Sequence, residues 1–188
     1  MNISLRALAV AAMLSVTAVS GAFAQDNPEV GGAAMFADKN IIENAVNSAD
    51  HTTLVAAVQA AGLVETLSGE GPFTVLAPVN AAFDALPAGT VNTLLKPENK
   101  EMLSTILACH VIPAKALSTD IMGMVEADGG EHVVDTVGGC KLTLKAADGK
   151  VTVTDENGTV ANVTIADVIQ SNGVIHVIDA VLTPKSAM

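Results

Sequence analysis

The chain has 188 residues, a formal net charge of −11, 20 acidic side chains against 9 basic ones, and neither Trp nor Tyr. Arg6 is its single arginine. Arginine forks recognise phosphate and aromatic rings stack on bases, so this composition argues against nucleic-acid binding, and its charge argues against anionic lipid surfaces.

Residues 1–6 carry Arg6, residues 7–19 form an apolar run, and Ala22-Phe23-Ala24 supplies the small residues that a signal peptidase reads. The pattern predicts a signal peptide over 1–24, cleaved after Ala24, and hence a secreted or periplasmic chain. The apolar run is too short to span a bilayer, and no later stretch is long enough, so no integral membrane segment is expected after cleavage. Residues 25–36 mix Gly, Pro, Asn and Ala without a period and read as a flexible lead-in.

Helical spacing begins with Ile41, Ile42, Ala45 and Val46. A second helix follows, with Asp50 or Thr52 as its cap, an apolar face of Leu54, Val55, Val58 and Ala61, and Gly62 as its stop. "FTVL" (73–76) reads as a buried strand, and Asn80 as the cap of a short helix around Ala81–Phe83. Pro97 suits the first turn of a helix whose face is Met102, Leu103, Ile106 and Leu107. A last short helix is expected over 118–125.

From about Glu131 the period changes from 3.6 to 2. "CKLTLKA" points Leu142 and Leu144 one way and Lys141, Thr143 and Lys145 the other. "DGKVTVTDENG" supplies a turn, a strand with Val151 and Val153 inward, and another turn; "TVANVTIADV" supplies a further strand. "GVIHVIDAVL" is apolar on both parities, as a strand covered on both faces would be. Helices first and strands later predict one α+β domain over 37–185, followed by a tail at 186–188.

"ILACHVIPA" (106–114) sets Cys109 beside His110. Neighbours in a strand point to opposite faces and neighbours in a helix diverge by ~100°, so a nucleophile–base dyad is not expected there. His51, Cys109, His110, His132, Cys140 and His176 show no paired metal-ligand spacing, and no phosphate loop or nucleophile elbow occurs. No catalytic residues, metal or cofactor are therefore expected. Cys109 and Cys140 are either two separate buried thiols or one disulfide; export to an oxidising compartment favours the bridge.

"GPFTVLAPVNAAFDALP" (71–87) resembles the first signature of the fasciclin (FAS1) domain family, and "SNGVIHVIDAVLTP" (171–184) resembles the second. The resemblance implies an α+β fold in which two small β-sheets form a wedge flanked by short helices. It also implies a non-catalytic extracellular or periplasmic interaction module, tied to adhesion, matrix or host association through a protein or cell-surface partner. "ILACHVIP" stands where the family has a Tyr-His pair, with Cys109 in place of the tyrosine. Ile165–Ile169 stands where animal members carry Glu-Pro-Asp-Ile-Met, and of that motif Asp167 survives. His110 and Asp167 are thus the transferable partner contacts, whereas integrin binding is not carried over. A second expectation is a carrier of an apolar small molecule such as a carotenoid or lipid. Its adaptable groove would be lined by Ile121, Met122, Met124 and Val125.

Overall fold

A computed structural model describes residues 27–185. The expected signal peptide and the tail at 186–188 lie outside the described residues. Within them, the stretch read as a flexible lead-in instead forms a small antiparallel hairpin, β1 (Glu29–Val30) with β2 (Ala33–Ala34). Val30 and Met35 are buried in the core. Two-residue strands are too short to leave a period in the sequence, and burial of these two apolar side chains anchors them.

The helical half comprises α1 (Ile41–Ala45), α2 (Thr52–Ala61), α3 (Val64–Ser68), α4 (Asn80–Asp84), α5 (Thr90–Leu94) and α6 (Lys100–Ala108). α1 opens on a reciprocal capping box between Asn40 and Glu43. α2 ends where expected, on Gly62 at φ 75°, a left-handed residue that satisfies the last carbonyls at no Cβ cost. Its start differs from expectation. Neither Asp50 nor Thr52 caps it; Asn80 Oδ1 accepts the Thr53 amide at 3.0 Å, while Asn80 Nδ2 donates to the Ala49 carbonyl at 2.8 Å. Asn80 therefore caps α2, two helices before its own.

The strands β3 (Phe73–Pro78), β4 (Val111–Ile112), β5 (Glu131–Asp135), β6 (Lys141–Ala147), β7 (Lys150–Thr154), β8 (Val160–Gln170) and β9 (Gly173–Ile178) form one ladder in the order β4-β3-β9-β8-β7-β6-β5. β8 joins its two halves: Val160, Ala161 and Asn162 pair with β7, and the stretch from Val163 onward pairs with β9. Register shifts at Val163/Ile165 and Ile165/Val168 bend the strand between them, which turns a long ladder into the two faces of a wedge.

β9 lies parallel to β3 and is buried along its whole length. Val75, Ala77, Ile175 and Val177 face a core built with α1, α2 and α6; Leu76 and Ile178 face a second core. There α7 (Ser118–Ala127) lays Ile121 and Val125 on Leu142, Leu144, Val151 and Val153. Two cores, one on each side, explain the apolar character of β9 on both parities.

The 136–139 turn between β5 and β6 folds back on the other end of the ladder. The Val137 amide donates to the Val111 carbonyl at 2.8 Å and the Gly138 amide to the Ala108 carbonyl at 3.0 Å. The Cys109–Cys140 disulfide, with Cα atoms 5.3 Å apart, fastens the same seam. The bridge read from export and cysteine number is thus the one present, and its position closes the wedge.

Candidate functional site

Thr74, Asp167 and His176, from β3, β8 and β9, converge on the backbone that leads into α7. The Thr74 hydroxyl donates to the Ala114 carbonyl at 2.6 Å and accepts the Ala116 amide at 2.9 Å. His176 Nε2–H donates to the Ala116 carbonyl at 2.8 Å, and its Nδ1 accepts the Asp167 amide at 3.2 Å. Asp167 accepts the Ser118 amide at 2.6 Å and the Ser118 hydroxyl at 2.5 Å. A carboxylate at the first amides of a helix satisfies orphan donors and meets the positive end of the helix dipole.

Ser118, Asp167 and His176 are the residue types of a hydrolase triad, but their bonds are those of a scaffold. Acyl transfer needs an imidazole facing the serine hydroxyl and a carboxylate behind that imidazole. Here the hydroxyl donates to the carboxylate, and both imidazole nitrogens are bound to backbone. Asp167 also sits at φ 59°, a left-handed conformation that Asp tolerates and that belongs to the bent part of β8.

His110 is not presented to a partner. It is buried, its Nδ1–H donates to the Ile106 carbonyl at 2.8 Å, and its Nε2 accepts the Leu182 amide at 2.9 Å. In this position it joins the end of α6 to the C-terminal segment. Asp167 is half-buried with both oxygens engaged, so its carboxylate is likewise spent within the fold.

Burial pushes the His110 pKa down to about 4, against the opposing pull of the Ile106 carbonyl and Asp155. Burial also lowers His176, opposed by the Ala116 carbonyl and Asp167. It lowers His51 as well, opposed by the Ala77 carbonyl and Asp50. His132 is the exception in position, near the surface with Nδ1 2.6 Å from Asp128. Among the described residues no group of three or more His, Cys, Asp or Glu is arranged to hold a metal.

The second turn of "DGKVTVTDENG" holds a structural residue that the sequence pattern does not single out. Asp155 is buried and accepts four bonds: the amides of Asn157, Thr159 and Thr183, and the Thr183 hydroxyl. It thereby ties the β7–β8 turn to the C-terminal segment. An Asp two residues before an Asn-Gly pair signals the turn, but not the partner 28 residues away.

The expected apolar groove is only partly assembled. Met122 and Val125 line an open recess of ≈420 Å³ that Glu126, Gly129, Gly130, the end of β6 and the Asp148-Gly149 turn complete. Ile121 belongs to the core, and Met124 packs against the core without lining this recess. Two small, almost wholly apolar cavities lie elsewhere, on either side of a wall formed by Ile41, Ala45, Leu54 and Val75.

Comparison with known proteins gives this architecture its family. Residues 49–184 match the fasciclin domain family model. The chain is similar to protein sll1483 of Synechocystis sp., 52% identical over 144 residues, covering 77% of this chain and 73% of that one. It is also similar to cell surface glycolipoprotein MPB83 of Mycobacterium bovis, 33% identical over 170 residues, covering 87% and 70%. Among solved structures it resembles a FAS1 domain pair from the insect cell adhesion molecule fasciclin I, with a TM-score of 0.70 at 16% identity, covering 79% of this chain and 52% of that one. With two signatures, the bent ladder and the family match in agreement, the chain belongs to the fasciclin domain family.

Proposed function

We propose that this protein is an exported, non-catalytic FAS1 interaction module that acts in adhesion to a cell surface, matrix or host. The observation that carries the reading is the use made of the signature chemistry. Thr74, Asn80, His110, Asp167 and His176 all direct their polar atoms at neighbouring groups of the fold, chiefly backbone, leaving recognition to the outer surface. A buried disulfide suits an oxidising compartment, in keeping with export. Deleting the gene in its source organism and scoring surface attachment, aggregation and host association tests this reading. Loss of one of the three is expected; unchanged behaviour in all three counts against it.

A second reading, transport of an apolar small molecule such as a carotenoid or lipid, draws on the paired cavities that share Ile41, Ala45, Leu54 and Val75. Each holds ≈30 Å³, room for about two water-sized spheres, so a pigment would need α1 to move aside. Visible absorbance of protein purified from its native host separates the readings, and a colourless preparation without extractable lipid removes this one.

A further inference from the structure

The outer face of β5–β8 carries a regular pattern of side chains. α7 covers the opposite face, where Leu142, Leu144, Val151 and Val153 are buried. On the outer side, register places Val133 beside Thr143, Thr143 beside Thr154, and Thr154 beside Val160. Directly paired residues share a face, so these four form one row across the sheet. Val133 and Val160, at its ends, are 54% and 52% exposed. The next row reads Glu131, Lys145, Thr152 and Asn162 by the same pairings.

The Val-Thr-Thr-Val row is the same in both directions. We infer that this face is a self-association surface, on which a second copy docks about a two-fold axis parallel to the strands and midway between β6 and β7. That operation lays Val133 over the second copy's Val160 and Thr143 over the second copy's Thr154. In the adjoining row it lays Glu131 over Asn162 and Lys145 over Thr152. No like charges oppose one another in either row. Each carboxylate or ammonium meets a hydroxyl or amide able to bond it, and the two valines at either end exclude water from the threonines between them. Isologous contacts require this kind of self-complementarity.

The charge argument favours a second copy over an unrelated acidic or basic partner. Lys145 and Lys141 already sit beside Glu131 and Asp135 at 3.6 and 3.0 Å, so the face as a whole presents neither sign. Four strands about 4.8 Å apart, over a few residues each, make a patch on the order of 300 Å². That is small beside stable interfaces, so the dimer is weak and forms at high local concentration, as at a crowded cell surface. The inference does not rest on the adhesive reading, because association of the purified chain is measurable whatever the protein touches in situ.

Sedimentation equilibrium from micromolar to millimolar protein tests it. The native chain is expected to rise from monomer towards dimer mass. Thr143→Glu with Thr154→Glu places carboxylates opposite one another across the axis and is expected to weaken association at least tenfold. Thr143→Lys with Thr154→Glu places opposite charges there and should return it to within about threefold of native. Circular dichroism melts verify that each variant is folded before it is scored. A native chain that stays monomeric overturns the inference. So does a dimer unmoved by the double glutamate, or a Lys/Glu variant as weak as the double glutamate.

Discussion

Asp167 on β8 holds Ser118, 49 residues earlier, by both its amide and its hydroxyl, so the strand supplies the cap of a helix it does not adjoin in sequence. Removing a carboxylate cap costs about 1–2 kcal/mol, and a non-glycine residue without a polar side chain at positive φ adds roughly 1 kcal/mol. Asp167→Ala is therefore expected to lose about 2–3 kcal/mol in urea unfolding. Asp167→Asn keeps an acceptor and tolerates the backbone, and should lose less than half as much. An alanine variant within about 0.5 kcal/mol of native would mean that Ser118 finds an equal partner in water.

Asn80 makes a parallel prediction at the other end of the molecule. Its amide oxygen accepts from the Thr53 amide and the Thr52 hydroxyl, and its amide nitrogen reaches the Ala49 carbonyl. Asn80→Ala should destabilise by about 1–2 kcal/mol, and Asn80→Asp, which retains the acceptor but not the donor, by less. If Asn80 capped only its own helix, hydrogen exchange would quicken in α4; we expect the change in the first turn of α2 instead.

These two residues also mark where sequence reasoning stops. Asn80 before a helix looks like a local cap, and its chemistry was read correctly as capping; the helix it serves lies upstream and is reached only through the fold. Periodicity did locate Leu142 and Leu144 on one face and Val151 and Val153 on another strand of the same core, because burial of one face writes itself into alternation. Gly62 was legible for another local reason, the left-handed conformation that ends a helix. Hairpin β1–β2, the short helices α3 and α5, and the bends of β8 were not: two-residue strands and a strand that changes partner midway carry no stable period, and α3 and α5 bury at most one residue each, Leu67 in α3. His110 was legible as notable, through the resemblance, but not the backbone groups it bonds. Nothing in "ACHV" distinguishes a histidine that bonds Leu182 from one that greets a partner.

His110 gives stability a pH dependence with a definite sign. Its pKa is about 4 in the folded protein, held down first by burial, and the unfolded reference is 6.5. The unfolded chain therefore takes up the proton first. The contribution is fully present above about pH 6.5 and is lost as pH falls towards 4, by up to about 3 kcal/mol. His51 and His176 are lowered for the same first cause and act in the same direction. Urea midpoints measured from pH 7 to 4 should decline. In His110→Gln, which can still accept the Leu182 amide, the native value at pH 7 should fall but the slope should flatten. An unchanged slope would locate the acid sensitivity elsewhere.

The closing seam yields the last prediction. Gly138 lies so near the end of α6 that a Cβ there would stand 2.7 Å from the Cys109 nitrogen, 2.8 Å from the Thr105 oxygen and 2.9 Å from the Ala108 carbonyl carbon. All three are backbone atoms that cannot rotate away, so Gly138→Ala must push the 136–139 turn off β4. It then loses the Gly138–Ala108 and Val137–Val111 bonds, for about 2–4 kcal/mol. Replacing Cys109 and Cys140 together by Ala acts on the same seam through chain entropy. The cysteines are 31 residues apart, which gives about 3–4 kcal/mol in the loop-closure treatment. Because both changes open one seam, the triple variant should fall short of the sum of the two losses in guanidinium unfolding. Strict additivity would show that the disulfide and the turn stabilise the protein independently, and that the wedge is not closed at a single point.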